Sequence, residues 1–304
     1  MRFLIVGAGA VGGYFGGRLQ EKGEDVTFLV RPRRNQQLRE RGLCIHSIHG
    51  NAELPVRTLT PGQEGGPFDV VIVAVKAYHL DGVLEDLWPY VGEETMVLPL
   101  LNGMTHLDRL DAAFSPQQVL GGLCFIETTL NDRGEIEQYS SRHDLIFGER
   151  DGQDSPRVRR LEQALTGGQM KAEKSDQILR EMWKKYLFIS TFSGITSLMN
   201  SAIGPVLETK YGVGVTRRLL DEIARAARHR EPSLDQELVD GVFQVIRSLQ
   251  PGMKSSMLRD MEKNAPVEAD HLHGELLNMA SDQADLPLLQ TVYTYLKTYE
   301  SNRR

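Results

Sequence analysis

Gly7-Ala8-Gly9-Ala10-Val11-Gly12 lies directly after an apolar run, Phe3 to Val6, and directly before an amphipathic stretch that ends at Gly23. Glycines at this spacing between a strand and a helix prepare a backbone for phosphate. Gly7 permits the tight turn, Gly9 lets the chain approach a pyrophosphate, and Gly12 lets the helix pack closely on the strand. The phosphate charge would then meet the helix N-terminus at Ala10 and Val11, where unpaired N–H groups and the helix dipole favour an anion. A second apolar run, Val26 to Val30, leads to Arg31. A site for NAD carries Asp or Glu there, about 20 residues past the glycines, to bond the ribose 2′-OH. Arg31, followed by Arg33 and Arg34, offers a cation instead and no carboxylate, which predicts NADPH over NADH. The other reading of these arginines is a solvated basic loop.

Further reactive side chains fall where strands or helices end. Lys76 stops the continuous β-branched run Val70 to Val75, and Asn102 stops Met96 to Leu101. Ligands of open α/β sheets lie outside the carboxyl ends of strands, so both can face a cofactor or substrate. Alternatively, Lys76 snorkels at the surface and Asn102-Gly103 is an ordinary turn. Lys184 and Lys185 are adjacent, yet only Lys185 stands three residues after Met182 and four before Ile189, along an apolar helix face. Ser255-Ser256-Met257 precedes a helix containing Asp260. Glu268 follows Pro266 at the start of the next helix, where a carboxylate also simply favours the dipole.

The elements that must carry these residues follow from periodicity. The opening strand, glycine turn, helix and strand predict an α/β N-terminal Rossmann-type dinucleotide-binding domain. Arg33 to Arg41 reads as a helix stopped by Gly42, Leu43 to His49 as a short strand, and Leu54 to Leu59 as one more. His79 to Tyr90 reads as a helix. Val119 to Thr129 and Ile136 to Phe147 read as strands that extend the sheet as an antiparallel edge. After a short run from Met170 to Ala172 the pattern turns helical, so an all-α C-terminal domain is expected, with residues 1–173 and 174–304 as the two domains. A helix capped at Ser175-Asp176 is expected to run to about Met199, with later ones at Val213–Arg230, Asp235–Leu249, Ser255–Asn264, Ala269–Asp282 and Leu286–Glu300.

At 304 residues the chain is long enough for two cores, and its formal charge of −6 gives no broad attraction to nucleic acid or an anionic membrane. The two cysteines, Cys44 and Cys124, are too few and too far apart for a disulfide framework or a thiolate metal site, and no metal is expected. A strand directly after Met1 leaves no room for a signal peptide, and no apolar run approaches the roughly 20 residues that span a bilayer. These features predict a cytoplasmic protein acting on a small molecule. Its apolar helical faces can pack within one chain or against a second copy, so a homodimer is compatible with the sequence.

With these residues in view, the chain resembles the 2-dehydropantoate 2-reductase (ketopantoate reductase) family. The resemblance rests on Gly7 to Gly13, Val75-Lys76, Leu101-Asn102-Gly103, Trp183-Lys184-Lys185, Ser193 to Leu198, Ser255 to Asp260 and Glu268, in that order along nearly the whole chain. It implies hydride transfer from NADPH to C2 of ketopantoate, giving pantoate for pantothenate biosynthesis, with the cofactor on the first domain and a substrate cleft closed by the helical one. It also implies Lys185 as general acid, Glu268 as an active-site carboxylate, Ser256 as a substrate ligand, Lys76 and Asn102 at the junction of cofactor and substrate, and Arg31 as the NADP-selecting residue. The family pattern tends to carry asparagines four and eight residues past the lysine, where this chain has Ile189 and Ser193. Ser193 retains a hydroxyl for the substrate, but Ile189 makes no side-chain hydrogen bond, so weaker selection for the ketopantoate hydroxyl is expected. Reduction of another branched 2-oxo acid is the nearest alternative. A non-catalytic NADP-binding sensor would not need Lys185 or Glu268.

Overall fold

The computed structural model describes residues 1–281 and 284–303, which divide into two compact units, Met1–Leu101 with His106–Leu179, and Asn102–Thr105 with Arg180–Arg304. The first unit contains β1 (Arg2–Val6), α1 (Ala10–Lys22), β2 (Asp25–Leu29), α2 (Pro32–Arg41), β3 (Leu43–Ser47), β4 (Ala52–Leu54) and β5 (Arg57–Leu59). It continues with β6 (Val70–Val73), α3 (Leu80–Leu87), β7 (Met96–Pro99), α4 (His106–Ala113), β8 (Gly121–Leu130), β9 (Ile136–Gly148), α5 (Pro156–Leu165) and β10 (Lys171–Lys174). Its first sheet is wholly parallel, in the order β5-β2-β1-β6-β7. Every residue of β6 and β7 is buried, as continuous apolar runs in a parallel sheet require. The chain moves outward from β1 to β2, then crosses to β6 on the other side of β1, so the carboxyl ends of β1 and β6 flank the point where the strand order reverses.

Two expectations fail here for physical reasons. Leu54 to Leu59 is not one strand. Pro55 has no N–H to give a ladder, and the run splits into β4, antiparallel to β3, and β5, parallel to β2 in the other sheet. Nor does the hairpin of β8 and β9 extend the first sheet as an antiparallel edge; Val119, just before β8, makes a parallel bridge to Val97 of β7. The hairpin forms a second sheet in which β9 pairs with β8, β10 and β3. Helix α1 lies between the sheets: a side chain at Gly16 would strike Ile5 and Phe28 of the first, and one at Gly13 would strike Ile136 of the second. The hairpin is thus drawn to cover the apolar outer face of α1, and both layers share one core.

The second unit is helical: α6 (Ile178–Leu198), which begins in the first unit, then α7 (Ile203–Glu208), α8 (Gly212–Arg228), α9 (Gln236–Arg247), α10 (Ser256–Glu262), α11 (Glu275–Met279) and α12 (Pro287–Asn302). Six-residue α7, which contains Pro205, was too short to show a periodic face. The helix expected from Ala269 to Asp282 departs from regularity. Asp270–Gly274 forms a π-helical turn before α11, and Asp282 lies outside the described residues. No helix among the described residues is long and apolar enough to cross a membrane.

Candidate active site

In the first unit the glycine turn has the shape a pyrophosphate needs. Gly7 takes φ +93°, open to glycine at little cost, and its N–H is held by the Leu29 carbonyl. A side chain at Gly12 would stand 2.1 Å from the Gly7 carbonyl oxygen, so α1 begins hard against the turn. Gly9 differs: it caps α1, and a side chain there would meet nothing within 4 Å. The first turn of α1, including Ala10 and Val11, contains no acidic residue. The residues therefore fit a dinucleotide's phosphates, with open space beside Gly9 at the start of α1 and no carboxylate in its first turn to repel the charge.

Arg31 caps α2 and is exposed, with its Nη2 3.3 Å from Nδ1 of His79. Arg33 is exposed as well, whereas Arg34 is half-buried. Its Nε donates to the Ala8 carbonyl at 3.0 Å and its Nη1 to the Gly134 carbonyl at 2.8 Å, so the guanidinium ties the glycine turn to the β8–β9 hairpin. Burial pulls its pKa down from the usual arginine range. Lys76 is half-buried at the start of the short 3₁₀ turn Ala77–His79, and its carbonyl accepts from the His79 N–H at 2.8 Å.

In the second unit Lys185 is 9% exposed, whereas Lys184 beside it on α6 is exposed. Glu268, also buried, stands just ahead of the π-helical turn. Hydrogen bonds hold that turn against α6. The Tyr186 hydroxyl donates to the Leu272 carbonyl at 2.8 Å, and Nε2 of His273 donates to the Ser190 carbonyl at 2.9 Å. Burial drives the Tyr186 phenol well above its ordinary pKa, so it stays a donor. A widened helical turn is often found at functional sites, and here it brings the Leu272 carbonyl and the His273 side chain to α6. Asn102 belongs to this unit, half-buried in a turn where Gly103 has φ +81°. Its carbonyl accepts from Nε2 of His271, whose Nδ1 lies 3.5 Å from the Thr105 hydroxyl. A carbonyl only accepts, so Nε2 of His271 is the donor.

Ser255 and Ser256 have separate tasks. The Ser255 hydroxyl caps α10 by accepting from the Leu258 N–H, and it bonds Thr196 of α6 at 2.9 Å, while Ser256 is exposed. Ser193 is fully buried on α6, and its hydroxyl, like those of Ser190 and Ser197, has no hydrogen-bond partner among the described residues. Ile189 is half-buried. Sequence reasoning missed Arg34, Tyr186, His271 and His273 as positioning groups. The only available signal was the pair of histidines just before Gly274, and the bonds they make are to distant backbone.

His273 gives the unit an acid-sensitive joint. Complete burial lowers its pKa to about 4, against about 6.5 for an unfolded histidine. Between those values the unfolded chain binds a proton that the folded one excludes. Stability should therefore fall as pH drops through that window, by about 1.4 kcal/mol per pH unit, and be unaffected above it. Urea unfolding at pH 7 and pH 5 should show this slope in the wild type and a shallower one in His273→Gln; equal slopes would remove His273 as the cause.

Comparisons with known proteins cover both units. The family model described as Ketopantoate reductase PanE/ApbA matches residues 3–152, and that described as Ketopantoate reductase PanE/ApbA C terminal matches residues 177–300. The Uncharacterized oxidoreductase YkpB of Bacillus subtilis is 46% identical over 304 residues, all of both chains. The crystal structure of 2-dehydropantoate 2-reductase from Geobacter metallireducens superposes with TM-score 0.87 at 27% identity, covering 98% of this chain and 99% of that one. A D-mandelate dehydrogenase solved with NADH and anilino(oxo)acetate has the same fold, with TM-score 0.87 at 20% identity over 99% of this chain and 98% of the other.

Proposed function

Since the chain belongs to the ketopantoate reductase family, and is thereby an oxidoreductase, we propose that it reduces a 2-oxo acid with NADPH, and that ketopantoate is that acid. Residues 1–173 hold the cofactor in this reading, and residues 174–304 supply the acid–base groups. Gly7, Gly9, Ala10, Val11 and Gly12 receive the pyrophosphate, Arg31 the 2′-phosphate, and Lys76 and Asn102 the nicotinamide end. When bound, NADPH supplies the hydride. Lys185 then delivers a proton to the carbonyl oxygen as negative charge develops there, and its cation favours the alkoxide at the stage where stabilisation accelerates reaction. Glu268 orients Lys185 or grips the substrate, and Ser256 and Ser193 supply hydroxyls to it.

The observation that carries this reading is the burial of Lys185, and not of Lys184, on a helix bonded to the turn that follows Glu268. A solvated lysine needs no such setting; a proton donor to a dehydrated carbonyl does. Steady-state NADPH oxidation with ketopantoate and a panel of 2-oxo acids tests it. Turnover of ketopantoate is the expected result, and no turnover of any 2-oxo acid would end the proposal.

For the cofactor, Arg31→Ala should weaken NADPH binding about tenfold or more and leave NADH nearly unchanged, because only NADPH carries the group that Arg31 meets. An unchanged ratio of the two dissociation constants would remove Arg31 from the site.

A second reading, another branched or bulky 2-oxo acid, is favoured by half-buried Ile189, which brings no hydrogen bond to a substrate hydroxyl. The same fold serves a 2-hydroxy acid other than pantoate in the D-mandelate dehydrogenase. A site that loses one such bond discriminates about one or two decades less well. The kcat/KM ratio of ketopantoate to its deoxy analogue should accordingly stay below about 10⁴, the scale of a site built to bind a substrate hydroxyl. A larger ratio would show that other residues make the contact.

A further inference from the structure

Arg31 and His79 reach one another from the ends of different strands. Arg31 follows β2 and His79 follows β6, the two neighbours of β1, which ends in the glycine turn. The separation of Arg31 Nη2 from His79 Nδ1 is 3.3 Å. A guanidinium carries only donors, so this contact requires Nδ1 to be the acceptor and leaves the ring proton on Nε2. Two side chains from neighbouring strand ends are thus joined by a bond that only an unprotonated Nδ1 can make.

We infer that His79 is the second cation of the 2′-phosphate subsite, taking up a proton at Nδ1 when the phosphate binds, so that selection of NADPH over NADH is proton-linked. This rests on the NADP reading above and adds a residue and a pH dependence to it. On binding, Arg31 Nη2 turns its N–H from Nδ1 to a phosphate oxygen, Nδ1 gains a proton from solvent, and both groups then donate to the phosphate.

The surroundings support the direction of this change. Partial burial and then the Arg31 charge hold His79 below the ordinary histidine pKa. Lys76 stands at the start of the same turn, and the ring of Tyr78 packs edge-on at 4.6 Å. The nearest acid along the chain, Asp81 on α3, is engaged by Arg109 at 3.1 Å. A doubly charged phosphate beside Nδ1 reverses the balance and raises the histidine pKa. NADPH affinity through this group therefore weakens as pH rises from the free to the bound value. The second ionisation of the phosphate itself, with pKa near ~6, works in the opposite sense, but it is common to any variant.

The experiment is titration calorimetry of the intact protein with NADP⁺ and with NAD⁺ at pH 6.5, each in two buffers of different ionisation enthalpy, for the wild type and His79→Gln. The wild type should take up more protons with NADP⁺ than His79→Gln does, the two should match with NAD⁺, and the variant should lose about three- to tenfold in NADP⁺ affinity. Equal proton uptake in both proteins, with NADP⁺ still bound more tightly than NAD⁺, would overturn the role of His79 alone. Equal affinity of the wild type for NADP⁺ and NAD⁺ would overturn the NADP reading and this inference with it. Should His79→Gln fail to fold, NMR titration of the wild-type histidine rings with 2′,5′-ADP and 5′-AMP decides the matter. One ring must rise in pKa with the first ligand only; no such ring contradicts the proposal.

Discussion

Lys185→Ala should lower kcat by about 10²-fold or more, the usual scale for a positioned proton donor, while the dissociation constant for NADPH changes little. Lys184→Ala should retain nearly full activity. The two lysines have the same chemistry and the same helix, and they differ in surroundings: Lys185 is buried and Lys184 is exposed. Because the cation acts on charge that appears only as hydride transfers, its loss should appear in kcat and kcat/KM together, with little effect on ground-state binding. Steady-state kinetics of both variants, with circular dichroism to confirm the fold, provides the check. Equal losses, or a larger loss in Lys184→Ala, would show that burial on this face does not mark the donor.

Gly12→Ala should abolish measurable NADPH binding and destabilise the protein by about 3 kcal/mol, the upper part of the range for overpacking. The added methyl would lie 2.1 Å from the Gly7 carbonyl oxygen and 3.0 Å from the Ala74 side chain, and backbone cannot yield as a flexible side chain does. Helix α1 has no direction in which to retreat, since a sheet packs on each side of it. Gly9→Ala is the informative companion. Its φ of −77° and ψ of −164° suit any residue, and its methyl points into open space. That variant should therefore keep the wild-type Tm and lose cofactor affinity, because only the pyrophosphate competes for the same volume. Thermal melts and fluorescence titrations of both would separate the two roles; a Tm in Gly9→Ala as low as in Gly12→Ala would contradict them.

The glycine turn and the strands beside it were legible because each needs a particular residue type: glycine at φ +93°, and unbroken apolar runs where both faces of a strand are covered. The burial of Lys185 was legible for a similar reason, through apolar neighbours three and four residues away. The second sheet was not. Alternation announces a strand without naming its partner, and β9 pairs in different stretches with β3, far earlier in the chain, and β10, after it. Arg34 looked like its exposed neighbours, and its acceptors at Ala8 and Gly134 are 26 and 100 residues away. The π-helical turn also escaped notice, since its apolar residues fit an ordinary helix, while the bonds of Tyr186 and His273 that accompany it are tertiary.

In the proposed reaction this chain moves a hydride from NADPH to the carbonyl carbon of a 2-oxo acid. Incubation with ketopantoate and NADPH carrying deuterium at the transferring position of C4, followed by mass spectrometry and NMR of the product, tests it most directly. The expected product is pantoate bearing one deuterium at C2, formed by the wild type and about a hundredfold more slowly by Lys185→Ala. Unlabelled product, or no 2-hydroxy acid from ketopantoate or any other 2-oxo acid offered, would contradict it.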